Sequence, residues 1–503
     1  MTIPVLAREG WRFGGVTKTS AAFVYRTDSS GVNAGVEVSR FPNFSTLVGT
    51  VTTGALNAGN NYQATCYVDD LAPGIRYYAR AKADDGVGGI VRGSTNLYTC
   101  DFQTIAENDS KPLRILGLGC LFGDSIGLNS SKADAATMVA ANLIGLRPDV
   151  AIALGDVYYP DAGTTRGTVP YGENAWFRQQ SGVDDGTPER YRTNFITTMD
   201  GNRVMNNGRG VTFGDFFASV PTLYQMDDHD RARDNPYGLR AMIATADVNK
   251  RQNGHKVAHE AYMNLNRRFI EAEGRNFATD VLGAPDEPKE WYFVDYPHVR
   301  VIVIECWSWR DALGTDSPTY KMISDECEAW LINLIKTNPK KHLMFCSPVM
   351  LDGDHNYLIT ASNSWKYYSY QRDRILEAIW NYGNPERTVI YSADTHNGIV
   401  CKYTGNGMSK PPIYEFMVSN CGWFNSAHGW NTGIYNDVFR AGETGAASGS
   451  GGKIEFVHLY QNNCAVFDYA GGELHAQVVE TQMYKSDYKM NPPKIVYSRM
   501  FRD

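Results

Sequence analysis

The sequence predicts an all-β sandwich followed by a larger α/β domain built on two packed sheets. Three observations carry this. Residues 1–104 hold only short alternating apolar runs broken by Gly, Asn, Ser and Asp, the pattern of short strands joined by turns. From residue 113 onward, apolar runs that stop abruptly at polar residues alternate with stretches of helical periodicity, as in parallel βαβ structure. Toward the C-terminus the strand-like runs follow one another without helices, so that part is expected to be more antiparallel, with a second sheet packed on the first.

Taken in order, the front region shows strand patterns at 22–25, 35–38 and 64–68. The segment 69–83 reads D-D-L-A-P-G-I-R-Y-Y-A-R-A-K-A. Its Pro-Gly turn leads into a strand of tyrosines and basic residues, a pattern common in fibronectin/Ig-like sandwiches. Cys66 and Cys100 could pair within this region. A polar, proline-ended linker at 104–112 marks a boundary. The expected organisation is an N-terminal β-sandwich over 1–104, a second domain over 112–480 and a C-terminal extension over 481–503. In the second domain 114–118 is a short strand. Ser131 with Asp134 three residues on starts a helix that runs through Val139, Leu143 and Leu146. Residues 150–154 make the next buried strand, closing a right-handed βαβ unit. Further apolar runs lie at 221–226, 299–304, 342–345 and 389–391, with helices at 324–336 and 370–380. Late strands are expected at 413–418, 454–459, 464–467 and 474–479. The Gly- and Ser-rich stretch 441–452 reads as a flexible surface loop.

The chain has 503 residues, 43% of them hydrophobic and 20% charged, which is a globular composition with ample material for a large core. A net charge of -7 argues against a dedicated nucleic-acid binder. The nine cysteines include no C-x-x-C pair, so no zinc ribbon or dense disulfide framework is implied. No basic-then-apolar segment opens the chain and no apolar run reaches spanning length. The expectation is a cytoplasmic protein, or one exported by another route or with a leader removed, and without a membrane span.

The chemistry is concentrated just after the strands of the second domain. After 114–118 come Gly119 and Cys120, with Asp124 beyond. After 150–154 come Gly155, Asp156 and Tyr159. A buried strand ending in Gly-Asp places a carboxylate at the carboxyl edge of a sheet, where open α/β folds build their sites. An acid and a phenol converging there suit a bound cation, foremost a transition metal. Taken alone, the pair reads more simply as a strand end whose aspartate caps the next turn. After 221–226, however, come Asp227, Asp228, His229 and Asp230, then Asp234 and Asn235. After 342–345 come Cys346 and Ser347, and after 389–391 come Asp394, His396 and Asn397. One such strand end is ordinary; a series of them is not.

Strand-Gly-Asp-x-x-Tyr, strand-x-Asp-His-Asp and strand-x-Asp-x-His, in that order, resemble the calcineurin-like metallophosphoesterases and, more narrowly, the PhoD-like (alkaline phosphatase D) family. Further similar blocks lie at 71–78 (L-A-P-G-I-R-Y-Y), 191–195 (Y-R-T-N-F), 324–331 (S-D-E-C-E-A-W-L) and 364–374 (S-W-K-Y-Y-S-Y-Q-R-D-R). The resemblance implies a four-layer α/β metallophosphoesterase domain, two packed sheets flanked by helices, with a dinuclear or multinuclear metal centre. Asp156 would bridge two ions. Cys120, Tyr159 and His396 would complete the first site, where an S/O set with one imidazole suits Fe3+. Asp228 and Asp394 would complete the second, where oxygen donors suit Ca2+, with Mn2+ or Zn2+ as alternatives. His229 would serve as acid/base or hold the phosphoryl oxygens, with Asp227 or Asp230 orienting it. The implied reaction is hydrolysis of a small phosphomonoester or phosphodiester by a metal-activated hydroxide attacking in line.

On the substrate side the resemblance points to Asp124, Asn235, Arg310 and His355. Asp124 reads equally as a turn residue or a distant ligand, and His355 as a solvated loop histidine. Cys120 alone would be a buried core thiol. Three positions depart from the family pattern: Cys346 stands where relatives carry a metal-binding histidine and reads as a packing cysteine, Trp307 stands where relatives carry an arginine, and Ala393 precedes Asp394 in place of glycine. His255 and His259 share a helix face at i, i+4 and could hold zinc, but surface or interhelix packing is the simpler reading. Two rival functions stay open: a non-enzymatic surface or assembly protein that kept the fold, and a phospholipase-like phosphodiesterase using Trp307, Trp309, Trp423 and Phe424 against an apolar substrate portion.

Overall fold

The computed structural model describes residues 6, 10–27, 31–57, 61–85, 90–95, 97–121, 139–158, 187–205, 211–231, 245–311, 317–351, 364–394, 398–405, 410–418, 452–458, 462–482 and 492–502. Two large sheets face each other. In the first, Leu113–Leu118, Val150–Leu154 and Thr222–Gln225 are parallel neighbours, with Asn462–Ala470 antiparallel to Leu113–Leu118. In the second, Val299–Val303, His342–Ser347, Thr388–Ser392 and Ile413–Val418 run parallel, flanked by antiparallel Tyr292–Asp295 on one side and Gly398–Tyr403 on the other. Runs such as V-A-I-A-L and V-R-V-I-V are buried at every position, as parallel strands covered on both faces must be.

What covers them is a four-layer arrangement. Ile152 and Leu154 of the first sheet meet Val301, Met344, Val389 and Phe416 of the second in a shared core, and the Tyr391 hydroxyl donates to the Leu118 carbonyl at 2.7 Å across the gap. The outer face of the first sheet packs on residues of Pro188–Met205, Phe213–Ser219 and Thr245–Ala261. That of the second packs on Asp325–Lys336 and Ser369–Tyr382. The helix Asp325–Lys336 begins where Ser324 and the acidic first turn predict, with the Ser324 side chain accepting from the Cys327 amide. Of the helix expected from Ser131, residues 139–145 are described as helical, while its start, and the loop 441–451, lie outside the described residues.

The antiparallel expectation for the C-terminal strands holds, but they divide between the sheets. Gly452–His458 pairs with Gly398–Tyr403 in the second sheet, whereas Asn462–Ala470, Glu473–Gln482 and Lys494–Phe501 form one side of the first. Lys494–Phe501, within the stretch read as an extension, is thus an edge strand of that sheet.

The N-terminal region is all β. Its strands Arg12–Gly14, Ala21–Arg26 and Gln63–Val68 continue the first sheet beyond Thr222–Gln225, giving it nine strands among the described residues, and Gly14 pairs with Thr222 at the join. Leu47–Ala55, Asn33–Ser39, Arg76–Asp84, Ile90–Arg92 and Thr99–Gln103 form a separate five-stranded sheet. Trp11, Phe13, Phe23, Val36, Val38 and Phe102 join the two in one core. Tyr77, at the start of Arg76–Asp84, accepts a hydrogen bond from the Ala72 amide at 2.9 Å. Cys66 and Cys100 are both free thiols. Among the described residues no helix is long and apolar enough to cross a membrane.

Candidate metal centre

The parallel strands of both sheets deliver acids to one buried point. Cys120 follows Leu113–Leu118, Asp156 follows Val150–Leu154, Asp227 and Asp228 follow Thr222–Gln225, and Asp394 follows Thr388–Ser392. Carboxylate oxygens of Asp156, Asp227, Asp228 and Asp394 lie within 4.8 Å of one another, and Asp156, Asp228 and His229 form a second such group. All four acids are buried and His229 is half-buried. Cys120 Sγ stands 3.5 Å from Asp156 Oδ2, on the edge of the same cluster.

Cys120, Asp156 and Asp394 share a backbone signature, with φ of +51°, +54° and +69°. Left-handed conformations at non-glycine residues cost of order 1–3 kcal/mol each and persist where the surroundings over-determine them. Here the fastening is visible. Leu121 N donates to the Asp156 carbonyl at 2.8 Å, and Cys120 N to the Gly155 carbonyl at 3.4 Å. Asp230 accepts from the amides of Asp156 (2.6 Å), Val157 (2.9 Å), Tyr158 (3.3 Å) and Asp227 (3.1 Å). One carboxylate therefore ties the Asp156 loop to the Asp227 loop. Gly155, at φ +83°, is required for the same junction, because a Cβ there would sit 2.3 Å from Asp227 Cβ.

Electrostatics identify what the cluster needs. Burial, reinforced by the neighbouring carboxylates, pushes the Asp156 carboxyl well above its usual range, although His229 pulls it down. Burial and the same neighbours raise Asp227, which Arg310 partly offsets. Burial raises Asp230 to about 6 despite its backbone donors. Asp227 Oδ2 is buried without a hydrogen-bond partner among the described residues. Gathering like charges out of water is costly unless a cation joins them, so the donor set fits multivalent metal ions.

The predicted residues fall into three groups. Asp156, Asp228, Asp394, His229 and Cys120 are brought together. Tyr159, His396, Asp124, Asn235 and His355 lie outside the described residues. Arg310 is fully buried, its guanidinium 4.1 Å from the Trp307 ring centroid, and its charge reaches the centre through Asp227. Asp227 and Asp230, either of which was expected to orient His229, also have other roles: Asp227 joins the carboxylate cluster and Asp230 fastens backbone. Cys346 sits in the core between the sheets, with burial holding its thiol well above the usual value. Glu305 Oε1 accepts from the amides of Trp307 and Ser308 at 2.8 and 2.5 Å, fixing the turn where the family pattern departs. Sequence reading missed Asp227 as a donor because strand periodicity does not say which of four consecutive polar residues turns inward.

Acidic strand ends from two facing sheets, converging on one buried point, define an α/β architecture suited to a metal-using phosphoesterase. The chain matches the sequence model of the PhoD-like phosphatases over residues 133–477. It belongs to that family, and it is a hydrolase with phosphatase chemistry. A solved structure of PhoD is similar at a TM-score of 0.67 and 14% identity, covering 99% of this chain and 93% of that one; this likeness shows a common fold. Two weaker likenesses carry no argument. The sensor domain of an anti-sigma factor from Pseudobacteroides cellulosolvens gives a TM-score of 0.14 at 16% identity, over 20% of this chain and 93% of that one. A glycosyl hydrolase family 2 member from Bacteroides cellulosilyticus gives 0.27 at 8%, over 95% and 68%. No curated protein sequence matches the chain.

Proposed function

We propose that the protein is a metal-dependent phosphomonoesterase or phosphodiesterase whose centre is organised by Asp156. The observation that carries this is the convergence of Asp156, Asp227, Asp228 and Asp394 within 4.8 Å in a chain of the PhoD-like phosphatase family. In this reading Asp156 would serve both cation sites. Cys120, Tyr159 and His396 would hold one ion, for which Fe3+ is the best match, and Asp228 and Asp394, with Asp227 added by its position, would hold the other, for which Ca2+ is the best match and Mn2+ or Zn2+ the alternatives. When bound, the cations supply an activated water and offset the charge of the phosphoryl group.

The chain's own residues do the rest. His229, half-buried beside Asp156 and Asp228, holds a proton for the departing alkoxide or donates to the phosphoryl oxygens. Its amide donates to Asp228 Oδ1 at 3.0 Å, which fixes its backbone relative to that carboxylate. Asp230 holds the two ligand loops in register. Arg310 tempers the negative charge at Asp227, and Asp124, Asn235, Arg310 and His355 remain proposed for the substrate side. Trp307 is buried under Arg310, and the Trp309 indole donates to the Pro288 carbonyl at 3.1 Å. Both are occupied in packing, so neither favours a lipid-cleaving diesterase. The enzyme assignment likewise stands against a purely structural role.

The domain division belongs to the same reading. The three N-terminal strands that end the first sheet share one core with the separate five-stranded sheet, and this, together with the Tyr77 hydroxyl accepting from the Ala72 amide, supports a fibronectin/Ig-like sandwich for residues 1–104. This module is fused through Gly14 and Thr222 to a phosphoesterase domain over 112–480, with 481–503 as its extension.

Hydrolysis of an aryl phosphate monoester and the matching diester by metal-reconstituted protein tests the proposal. Wild-type protein is expected to turn over at least one of them. His229→Ala is expected to lose about 100-fold or more in turnover, as for removal of a general acid, with metal content unchanged. No turnover with any of the four metals contradicts the proposal. Loss of metal in His229→Ala would make His229 a ligand instead.

A further inference from the structure

A second cluster of potential ligands lies apart from the carboxylate centre and shares no residue with it. His255 and His259 project from one face of the helix Thr245–Ala261, and Glu290 stands just before the strand Tyr292–Asp295. Surface or interhelix packing was the simpler expectation for the histidines, and burial excludes the first: they are 2% exposed and Glu290 is fully buried. Glu290 Oε1 faces both rings, at 2.6 Å from His259 Nε2 and 3.4 Å from His255 Nδ1, and the ring centroids are 4.4 Å apart. The other oxygen, Oε2, accepts from Arg231 Nη2. A cramped approach creates this grouping: a Cβ on Gly254 would lie 1.9 Å from the Arg231 carbonyl oxygen, so only glycine lets the helix come this close to the turn Asp228–Arg231.

As a hydrogen-bonded network the cluster is incomplete. His259 can donate one proton to Glu290. Among the described residues both ring nitrogens of His255, and Nδ1 of His259, are buried without a well-formed hydrogen bond, although the Val281 backbone lies beside the His255 ring, and leaving buried polar atoms unsatisfied is costly. Two imidazoles and one carboxylate form a recurrent three-ligand zinc set, with bonds of about 2.0–2.1 Å and ligand atoms therefore roughly 3.3 Å apart in a tetrahedron. The His255 contact already has that spacing; His259 has to withdraw by about 0.7 Å to exchange its hydrogen bond for a metal bond. Arg231 on the far carboxylate oxygen is the kind of outer partner that orients a ligating carboxylate.

We propose that His255, His259 and Glu290 form a transition-metal site, with Zn2+ the preferred ion, next to the turn Asp228–Arg231. The test uses full-length protein in which Asp156→Asn and Asp394→Asn disable the carboxylate centre. Equilibrated with Zn2+ alone and desalted, it is expected to retain one zinc ion per chain, and X-ray absorption at the zinc edge is expected to show two imidazoles. Adding His255→Asn and His259→Gln is expected to remove that ion. Zinc-free acid-substituted protein, a zinc shell of oxygen donors only, or a zinc count unchanged by the histidine substitutions would each overturn the site. The absorption measurement needs only the acid-substituted protein, so the test stands even where the histidine variant fails to fold.

Discussion

At Asp230 one carboxylate accepts from four backbone amides belonging to two loops, close to the capacity of an ionised carboxyl. Its replacement by asparagine turns one acceptor into a donor facing donors. Asp230→Asn is expected to lower stability by about 1–3 kcal/mol and to weaken metal retention by about 10–100-fold, although no proposed ligand changes. Thermal denaturation and metal titration check both. Unchanged metal affinity would show that the loops are held by other means. At this scale the sequence was informative about residue type and poor about direction. The run Asp227, Asp228, His229, Asp230 was readable as chemistry. Which acid faces the centre, which fastens backbone and which flanks the imidazole depends on a four-residue helical turn, Asp228–Arg231, that no periodicity marks.

Among the elements, strand ends decide the centre. Cys120, Asp156 and Asp394 each follow a strand end in the left-handed region. Gly155 makes the sharpest of these turns possible. Gly155→Ala is expected to destabilise the protein by more than about 1 kcal/mol, the scale on which alanine at positive φ is penalised, with the Cβ clash against Asp227 added. Calorimetric unfolding of the variant measures it, and a melting temperature equal to wild type would contradict the account. The strands themselves were legible, because fully buried runs such as 150–154 and 299–303 announce parallel strands covered on both sides. Their backbone sign was not: asparagine and glycine advertise positive φ, whereas cysteine and aspartate at these positions are held there by tertiary contacts.

On the scale of the whole molecule, the pattern of alternating strands and helices foretold two sheets between helices, and the C-terminal antiparallel strands were foreseen as a group. Their division between the two sheets was not, since hydrophobic runs carry no record of their partner. The same limit hid the continuation of the first sheet into the N-terminal region, where a single close pairing of Gly14 with Thr222 joins strands separated by some two hundred residues. Deleting residues 1–104 is therefore expected to bare the edge of Thr222–Gln225 and the face of Phe213–Ser219 that contributes Ala218 to the front core, and so to give insoluble or self-associating protein. A soluble, monomeric remainder in size-exclusion chromatography would refute that dependence. Anomalous diffraction from metal-reconstituted crystals probes the carboxylate centre itself. Two peaks are expected, both within bonding distance of Asp156, with iron-edge signal on the side of Cys120 and the other ion on the side of Asp228 and Asp394. Active crystals with no peak beside Asp156 would contradict the metal assignment.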